Sequence, residues 1–138
     1  MIVLDTNVIS ELVRPTPNPS VLTRIRGFRD DELSTTSITE AELRRGVAEM
    51  PEGKVSTGLR QDLEMMLDHK LGGRVLPFDS AAAKVYAAII ARRRAAGRPI
   101  SAFDAQIAAI VRANGATLVT RDVSGFQNCG FEVINPWK

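Results

Sequence analysis

The stretch Ile2-Val3-Leu4-Asp5-Thr6-Asn7 places three apolar side chains directly before an acid. A short run of apolar residues without polar alternation is typical of a parallel strand that is buried on both faces. Asp5 follows this strand and can cap a helix, which we predict over residues 6–13. The stretch therefore predicts the first strand-to-helix unit of an α/β fold, with a carboxylate at the carboxyl end of the strand.

The same alternation of strand and helix continues along the chain. Apolar runs predict the other strands, and capping residues, glycines and prolines limit the helices. Predicted strands cover residues 2–4, 32–36, 75–78, 117–120 and 132–134, and predicted helices cover residues 6–13, 19–28, 37–49, 55–71, 80–96 and 101–114. This order predicts a parallel sheet between helices. No domain boundary or repeat interrupts it, so residues 1–138 are expected to form a single domain.

The composition argues against several kinds of protein. Apolar residues make up 44% and charged residues 25%, which is ordinary for a folded domain. The longest apolar run, residues 86–91, is far shorter than the roughly 20 residues that cross a membrane. We expect no signal peptide before Asp5, and the lone Cys129 forms no internal disulfide, so a cytoplasmic protein is expected. With His69 as the only histidine, expected to be solvated, a nucleophilic triad is not expected.

The basic residues favour contact with phosphate groups. The net charge is only +2, but the chain has 14 arginines and 4 lysines, and a guanidinium binds phosphate through two parallel hydrogen bonds. An arginine-rich genome would explain the same count. We expect Arg92-Arg93-Arg94 to form a solvated helix face, and a contact of this run with an RNA backbone stays open.

Two aspartates follow predicted strands. Asp5 comes after the first strand and Asp122 comes just after the fourth, in Thr120-Arg121-Asp122. Open α/β sheets bind ligands at the carboxyl ends of their strands, so both carboxylates would face one crevice if these strands are neighbours. The structural alternatives are an N-cap for Asp5 and a turn residue for Asp122.

Asp104 lies in the first turn of a predicted helix with one apolar face. That face comprises Ile100, Phe103, Ile107, Ala108 and Val111. Asp104 falls within it, where a carboxylate needs compensation. The helix dipole or a cap at Ser101 would supply part of this compensation, and a bound cation would supply more. Both interpretations stay open.

Glu42 lies near another predicted helix start, on the same face as Gly46. A helical glycine lowers helix stability, which suggests a close approach at this face. The patterns Ser37-x-x-Glu40 and Thr39-x-x-Glu42 both match a capping box, so Glu42 has a structural alternative as a capping partner. Helix geometry alone does not choose between Glu40 and Glu42.

The set of four acids, Asp5, Glu42, Asp104 and Asp122, indicates a cation site. Carboxylates gathered at one rim repel one another unless hard cations neutralise them. Because no histidine or cysteine joins the set, Mg²⁺ or Mn²⁺ is favoured, and such ions promote hydrolysis of phosphodiesters. The hydroxyls of Thr6 and Thr120 flank two of the acids and could orient a water molecule, although both also suit a helix start or a strand end.

The acids lie in segments that resemble a known family. These segments are residues 2–11, 36–47, 76–79, 104–109, 120–122 and 135–137, and they end with Asn135-Pro136-Trp137. In order and spacing, from end to end, they resemble the motifs of PIN-domain toxins of the VapC class, in particular the FitB/StbB-like branch. The resemblance implies a three-layer α/β/α fold with a five-stranded parallel sheet in the order 3-2-1-4-5.

The resemblance also implies the activity and the roles of the site residues. It implies a Mg²⁺- or Mn²⁺-dependent endoribonuclease in which Asp5, Glu42, Asp104 and Asp122 form an acidic quartet, with Asp5 and Asp104 as the main metal contacts. It thereby selects Glu42 over Glu40. One departure is Phe103, which stands before the third acid where small residues are common and is expected to narrow the pocket.

The resemblance implies partners as well. Such toxins form homodimers and are held inactive by an antitoxin whose C-terminal arm enters the acidic groove. The complex binds DNA through the antitoxin, and the RNA substrate is transfer RNA by family analogy only. No membrane partner is expected.

Two other functions remain as alternatives. One is a non-catalytic PIN-like subunit that acts only within an antitoxin complex on DNA, although the presence of all four acids argues against it. The other is a phosphoacceptor or phosphatase that uses Asp5. In one such family a second aspartate is expected two residues later, and Asn7 occupies that position here.

Overall fold

A computed structural model describes all residues 1–138 and shows a parallel sheet between two layers of helices. The strands are β1 (Ile2–Leu4), β2 (Leu33–Thr36), β3 (Val75–Leu76), β4 (Thr117–Val119) and β5 (Val133–Ile134); the helices are α1 (Thr6–Leu12), α2 (Pro19–Arg26), α3 (Ser37–Ala48), α4 (Lys54–Met65), α5 (Ser80–Ala95) and α6 (Ala102–Ala113). The strand order is 3-2-1-4-5 and every pair is parallel, which confirms the expected fold.

The central strand β1 explains why the opening stretch is apolar throughout. Successive side chains of a strand point to opposite faces of the sheet. Val3 joins the hydrophobic core beneath α5 and α6, while Leu4 joins the core beneath α1, α2 and α4. Leu118 and Val119 of β4 divide in the same way. Because both faces are covered, the strand has no position at which a polar side chain would be solvated.

The predicted capping residue is observed at the start of one helix and not at the start of another. Asn18 caps α2 as predicted, since its Oδ1 accepts from Ser20 N at 2.9 Å and Pro19 takes the first helical position. The start of α3 is capped by Thr36, whose Oγ1 accepts from Thr39 N at 3.1 Å. The predicted capping boxes of Ser37 and Thr39 are therefore wrong. Thr36 is the last residue in extended conformation, so its hydroxyl is the one that reaches the free amides.

Two predicted elements differ in extent. β3 ends at Leu76, two residues earlier than predicted, because Pro77 has no N–H to donate to the neighbouring strand. The predicted helix over residues 55–71 is α4 followed by a π-helical turn, Met66–Lys70, in which Leu71 N donates to Met66 O at 2.9 Å. Short 3-10 turns cover Asp30–Glu32 and Ser124–Phe126. None of the helices combines the length and apolar character needed to cross a membrane.

Candidate active site

The carboxyl ends of β1 and β4 lie side by side. Leu4 is level with Val119, and Asp5 N continues the ladder by donating to Val119 O at 3.0 Å. This register brings Asp5 next to Thr120. The Thr120 hydroxyl is fully buried; it donates to Asp5 Oδ2 at 2.7 Å and accepts from Asp122 N at 3.1 Å. One hydroxyl therefore connects the backbone of Asp122 with the carboxylate of Asp5.

Asp5 uses its two carboxylate oxygens differently. Oδ1 accepts from Thr6 N at 2.9 Å and caps α1, as the structural interpretation predicted. Oδ2 lies toward β4, where it accepts from Thr120 and, at 3.4 Å, from Asn7 Nδ2. The side chain of Asp5 is held from both sides, and the residue is only 6% exposed. The N-cap role thus does not prevent this carboxylate from facing the strand ends.

Glu42 and Glu40 point to different surroundings. The Thr6 hydroxyl donates to Glu42 Oε1 at 3.4 Å, and the oxygen of the buried Thr39 hydroxyl lies 3.1 Å from that of Thr6. Glu40 instead pairs with Arg44 on the outer side of α3, at 2.9 Å. Position on the helix therefore brings Glu42, and not Glu40, beside the first acid.

The remaining two acids lie at the start of α6 and in the turn after β4. Asp104 is half-buried in the first turn of α6, where Ser101 Oγ accepts from Asp104 N at 3.2 Å. The Asp122 carboxylate turns back over the following loop, and its Oδ1 accepts from Gly125 N at 3.0 Å. The capping and turn interpretations of these residues are both confirmed, and the charges of both carboxylates still act on Asp5.

The four acids form one electrostatic cluster. Burial raises the pKa of Asp5, and the charges of Asp104 and Asp122 raise it further, against the lowering effect of the Thr120 and Thr6 hydrogen bonds. The pKa of Glu42 is raised by burial and then by the charges of Asp5 and Asp104. Carboxylates that are distant in sequence therefore influence one another electrostatically.

Asp104 belongs to this cluster and is also influenced by the positive charge of an arginine. Its pKa is raised first by burial and further by Asp122, while the hydroxyl of Ser101 and the charge of Arg93 lower it. The arginine compensates part of the negative charge of the cluster. None of the four acids, however, forms an ion pair.

The sequence and the fold are similar to those of a known family. Residues 2–131 match the model of the PIN domain. The chain belongs to the PIN-domain family. The fold was expected from the resemblance, and it is confirmed.

Full-length relatives place this PIN domain more narrowly, among the StbB, VapC and FitB proteins. It is 49% identical over 138 residues to the plasmid stability protein StbB of Pseudomonas syringae pv. tomato, covering 100% of this chain and 99% of the relative. It is 45% identical, with the same coverage, to the VapC ribonuclease Y4jK of Sinorhizobium fredii. A solved structure of FitAB bound to an IR36 DNA fragment superposes with a TM-score of 0.93 at 38% identity, covering 100% of this chain and 96% of that chain.

The donor set of this PIN domain fits a hard divalent cation. No three of its histidine, cysteine, aspartate or glutamate side chains already stand in the arrangement of a metal site. The clustered groups are nevertheless all oxygen donors, which Mg²⁺ and Mn²⁺ prefer. The raised pKa values of Asp5, Glu42 and Asp104 show that the cluster holds negative charge at a cost, which a cation would remove.

The structure corrects two expectations about residues near the site of this PIN domain. Arg93 is only 5% exposed, so Arg92-Arg93-Arg94 is not uniformly a solvated face, although Arg92 and Arg94 are exposed. Phe103 is 55% exposed and does not belong to the apolar face of its helix. It precedes the first buried residue of α6, Ala105. His69 is exposed, as predicted, and Cys129 is buried.

Asn7 was not predicted as part of the site. Its Nδ2 lies 3.4 Å from Asp5 Oδ2 and 3.3 Å from Thr120 Oγ1, and its Oδ1 accepts from Arg121 N at 3.2 Å. Asn7 therefore joins the start of α1 to the segment after β4. The available signal was its place two residues after Asp5 in the opening motif.

An apolar groove leads away from the acids. It has a volume of about 760 Å³ and lies between α1, α3 and α4. Its apolar lining consists of Val13, Leu43, Val47, Val55, Leu59 and Leu63. Thr6 and Glu42 line it as well, so the groove is continuous with the acidic cluster.

Proposed function

We propose that this PIN domain is a Mg²⁺- or Mn²⁺-dependent endoribonuclease and the toxin of a type II toxin–antitoxin pair. The observation that supports this most is that four carboxylates influence one another electrostatically, although they come from the end of β1, from α3, from α6 and from the turn after β4. Carboxylates that repel one another lower the stability of a fold, so their clustering indicates a function that requires negative charge. The name of the VapC ribonuclease relative agrees with this activity.

Each acid has a proposed role in this reaction. Asp5, Asp104 and Asp122 would hold the metal, and Glu42 would bind it or orient the attacking water. A divalent ion held there supplies Lewis-acid activation of water and neutralises charge on the phosphodiester. Thr120 keeps the Asp5 carboxylate oriented through its 2.7 Å hydrogen bond, and the Thr6 hydroxyl does the same for Glu42 at 3.4 Å.

The proposed substrate is RNA. Because four of the 16 acids gather at one edge, the rest of the surface is distinctly basic, which attracts a polyanion toward the acidic edge. We propose transfer RNA as the first substrate to test, by family analogy alone. Hydrolysis in this manner leaves a 5′-phosphate and a 3′-hydroxyl.

The proposed partners are a second copy of the chain and an antitoxin. The groove beside Glu42 is apolar and open to solvent, so it suits the C-terminal arm of an antitoxin that ends at the acids. Contact with DNA would be indirect, through the antitoxin. The solved complex of FitAB with a DNA fragment supports this arrangement, and it is also the observation that favours a non-catalytic, DNA-directed subunit as the second candidate.

A phosphoacceptor role for Asp5 has less support. In one family that uses such an aspartate, a second aspartate is expected two residues later. Asn7 occupies that position here, and its Nδ2 donates to Asp5 Oδ2 at 3.4 Å.

Incubating the purified chain with transfer RNA and other RNAs tests the proposal. We expect cleavage with Mg²⁺ or Mn²⁺, none with excess EDTA, and products with 5′-phosphate ends. A chain that binds an antitoxin tightly but neither cleaves RNA nor binds Mn²⁺ would support the non-catalytic alternative. Cleavage that persists in EDTA would contradict the role of the metal.

A further inference from the structure

In the turn after β4, a side chain at Gly125 would displace the carboxylate of Asp122. A Cβ added there would lie 2.2 Å from Asp122 Oδ2, 2.6 Å from its Cγ and 2.9 Å from its Oδ1. These distances are far below van der Waals contact. The backbone of Gly125 is not in the left-handed region, so the effect of an added side chain there would be its contact with Asp122 and not backbone strain. Its N–H donates to the same carboxylate at 3.0 Å.

The buried side chain of Arg93 holds this turn from below. Its Nη1 donates to Gln127 O at 2.7 Å and lies 3.3 Å from Ser124 O. Its Nε donates to Arg98 O at 2.8 Å, in the segment that leads into α6. No carboxylate pairs with this guanidinium, and its hydrogen bonds go to backbone carbonyls of two loops. One side chain of α5 therefore joins the turn after Asp122 to the entry of the helix that carries Asp104.

We propose that Gly125 and Arg93 are positioning residues for the acidic cluster. Gly125 supplies both the space and the N–H that hold the Asp122 carboxylate in its observed position over the turn. Arg93 fixes the turn that contains Gly125 relative to the start of α6, and so fixes Asp122 relative to Asp104. The functional consequence, a cation site of defined geometry, rests on the proposed function, whereas the steric contact between Gly125 and Asp122 does not.

A double-mutant cycle separates this role from a general requirement of the loop. The four proteins are the parent, Gly125→Ala, Asp122→Ala and the double variant. Mn²⁺ affinity is measured by the electron paramagnetic resonance of free Mn²⁺, because residues that orient a metal ligand change affinity by roughly 10- to 100-fold. We expect Gly125→Ala to weaken Mn²⁺ binding about tenfold in the parent and to have no further effect in Asp122→Ala. Gly58→Ala is the matched control, since a Cβ there meets nothing within 4 Å.

The same cycle is read without metal, so that the two proposals fail separately. In urea unfolding with EDTA, Gly125→Ala should lower the midpoint in the parent and lower it much less in Asp122→Ala, because the clashing carboxylate is gone. Equal shifts in both backgrounds would overturn the positioning role. A parent that binds no Mn²⁺ would refute the proposed function and leave this second cycle to decide the steric contact.

Arg93 is tested through the same metal titration. Arg93→Lys keeps the charge but loses the guanidinium that reaches two loops at once, so we expect weaker Mn²⁺ binding with a folded chain. Arg94→Gln, on the exposed side of the same helix, is the control and should bind Mn²⁺ like the parent. Unchanged affinity in a folded Arg93→Lys protein would contradict the role of Arg93.

Discussion

At the scale of single residues, Asp5 is the most important residue of the proposed metal site. It is nearly buried, it is hydrogen bonded on both oxygens, and it lies within the field of two other acids. Burial and like charges both raise its pKa, because they make the ionised form of Asp5 less stable in the metal-free fold. A variant that removes this charge should lose activity without losing stability.

Asp5→Asn should abolish metal-dependent cleavage while the fold is kept. Loss of a proposed metal contact is expected to reduce the cleavage rate at least about a hundredfold, since even residues that only orient such contacts change activity 10- to 100-fold. Gel-based cleavage assays and circular dichroism measure the two properties. Asp68→Asn, on an exposed acid, is the control. Parent-like cleavage by Asp5→Asn would refute the assignment.

The raised pKa of Asp5 also predicts how stability depends on pH. Below the ordinary aspartate pKa, near about 4, the group is protonated in both folded and unfolded chains and costs nothing. As the pH rises from there to the raised folded pKa, the unfolded chain is ionised while Asp5 in the folded chain still holds its proton, so the metal-free fold loses stability. Asp5→Asn should therefore stabilise the EDTA-treated protein more at about pH 7 than at about pH 3.5. Urea unfolding at the two pH values checks this, and an equal effect at both would contradict it.

Some residues of the candidate site could be predicted from sequence and others could not. Asp5 and Asp122 follow strands, a position that a strand pattern reveals. The choice between Glu42 and Glu40 came from the family resemblance, because both are compatible with the helix, and the structure separates them by the contacts of Thr6 and Arg44. Gly125 was not predictable, since its requirement arises from the direction in which one carboxylate turns.

At the scale of elements, the start of α3 places Glu42. The cap is Thr36, a fully buried residue at the end of β2, and not the Ser37 or Thr39 of the capping-box patterns. Sequence patterns locate a helix start within a few residues, but the last extended residue decides which hydroxyl caps it. A cap that begins at the strand end fixes α3 directly to the sheet, and with it the second turn that carries Glu42.

The cap makes a stability prediction. Thr36→Val keeps the volume of the side chain but removes the hydroxyl that accepts from Thr39 N, and it should destabilise the fold by about 1 kcal/mol. Ser37→Ala, one residue later, should cost clearly less. Free energies of unfolding in urea measure both. The reverse order would mean that the capping box of Ser37 operates after all.

At the scale of the whole molecule, the sheet order brings the acids together. Because β1 lies between β2 and β4, the segments after all three strands meet at one edge, although they are far apart in the chain. Strand alternation predicted a parallel sheet from the sequence, but the order 3-2-1-4-5 came from the family resemblance, since short strands carry little information about their neighbours. The groove between α1, α3 and α4 depends on the packing of three helices and was not predictable.

The groove predicts where an antitoxin acts. Val55 on α4 lines the groove and is 74% exposed, so Val55→Glu places a charge on the proposed docking surface. We expect antitoxin affinity to fall about tenfold or more, with RNA cleavage unchanged. Met65→Glu, an exposed apolar residue of the same helix outside this groove, is the control. Equal affinity in the Val55→Glu protein, measured by titration calorimetry, would place the partner elsewhere.

The central claim is that the clustered carboxylates together bind a divalent cation. Anomalous diffraction from crystals grown with Mn²⁺ tests it most directly. We expect an anomalous peak within coordination distance of the Asp5 carboxylate and of at least one of Asp104 and Asp122, and we expect it to disappear in Asp5→Asn crystals. A protein that shows no Mn²⁺ peak at this edge, or shows one only at a distant surface site, would contradict it.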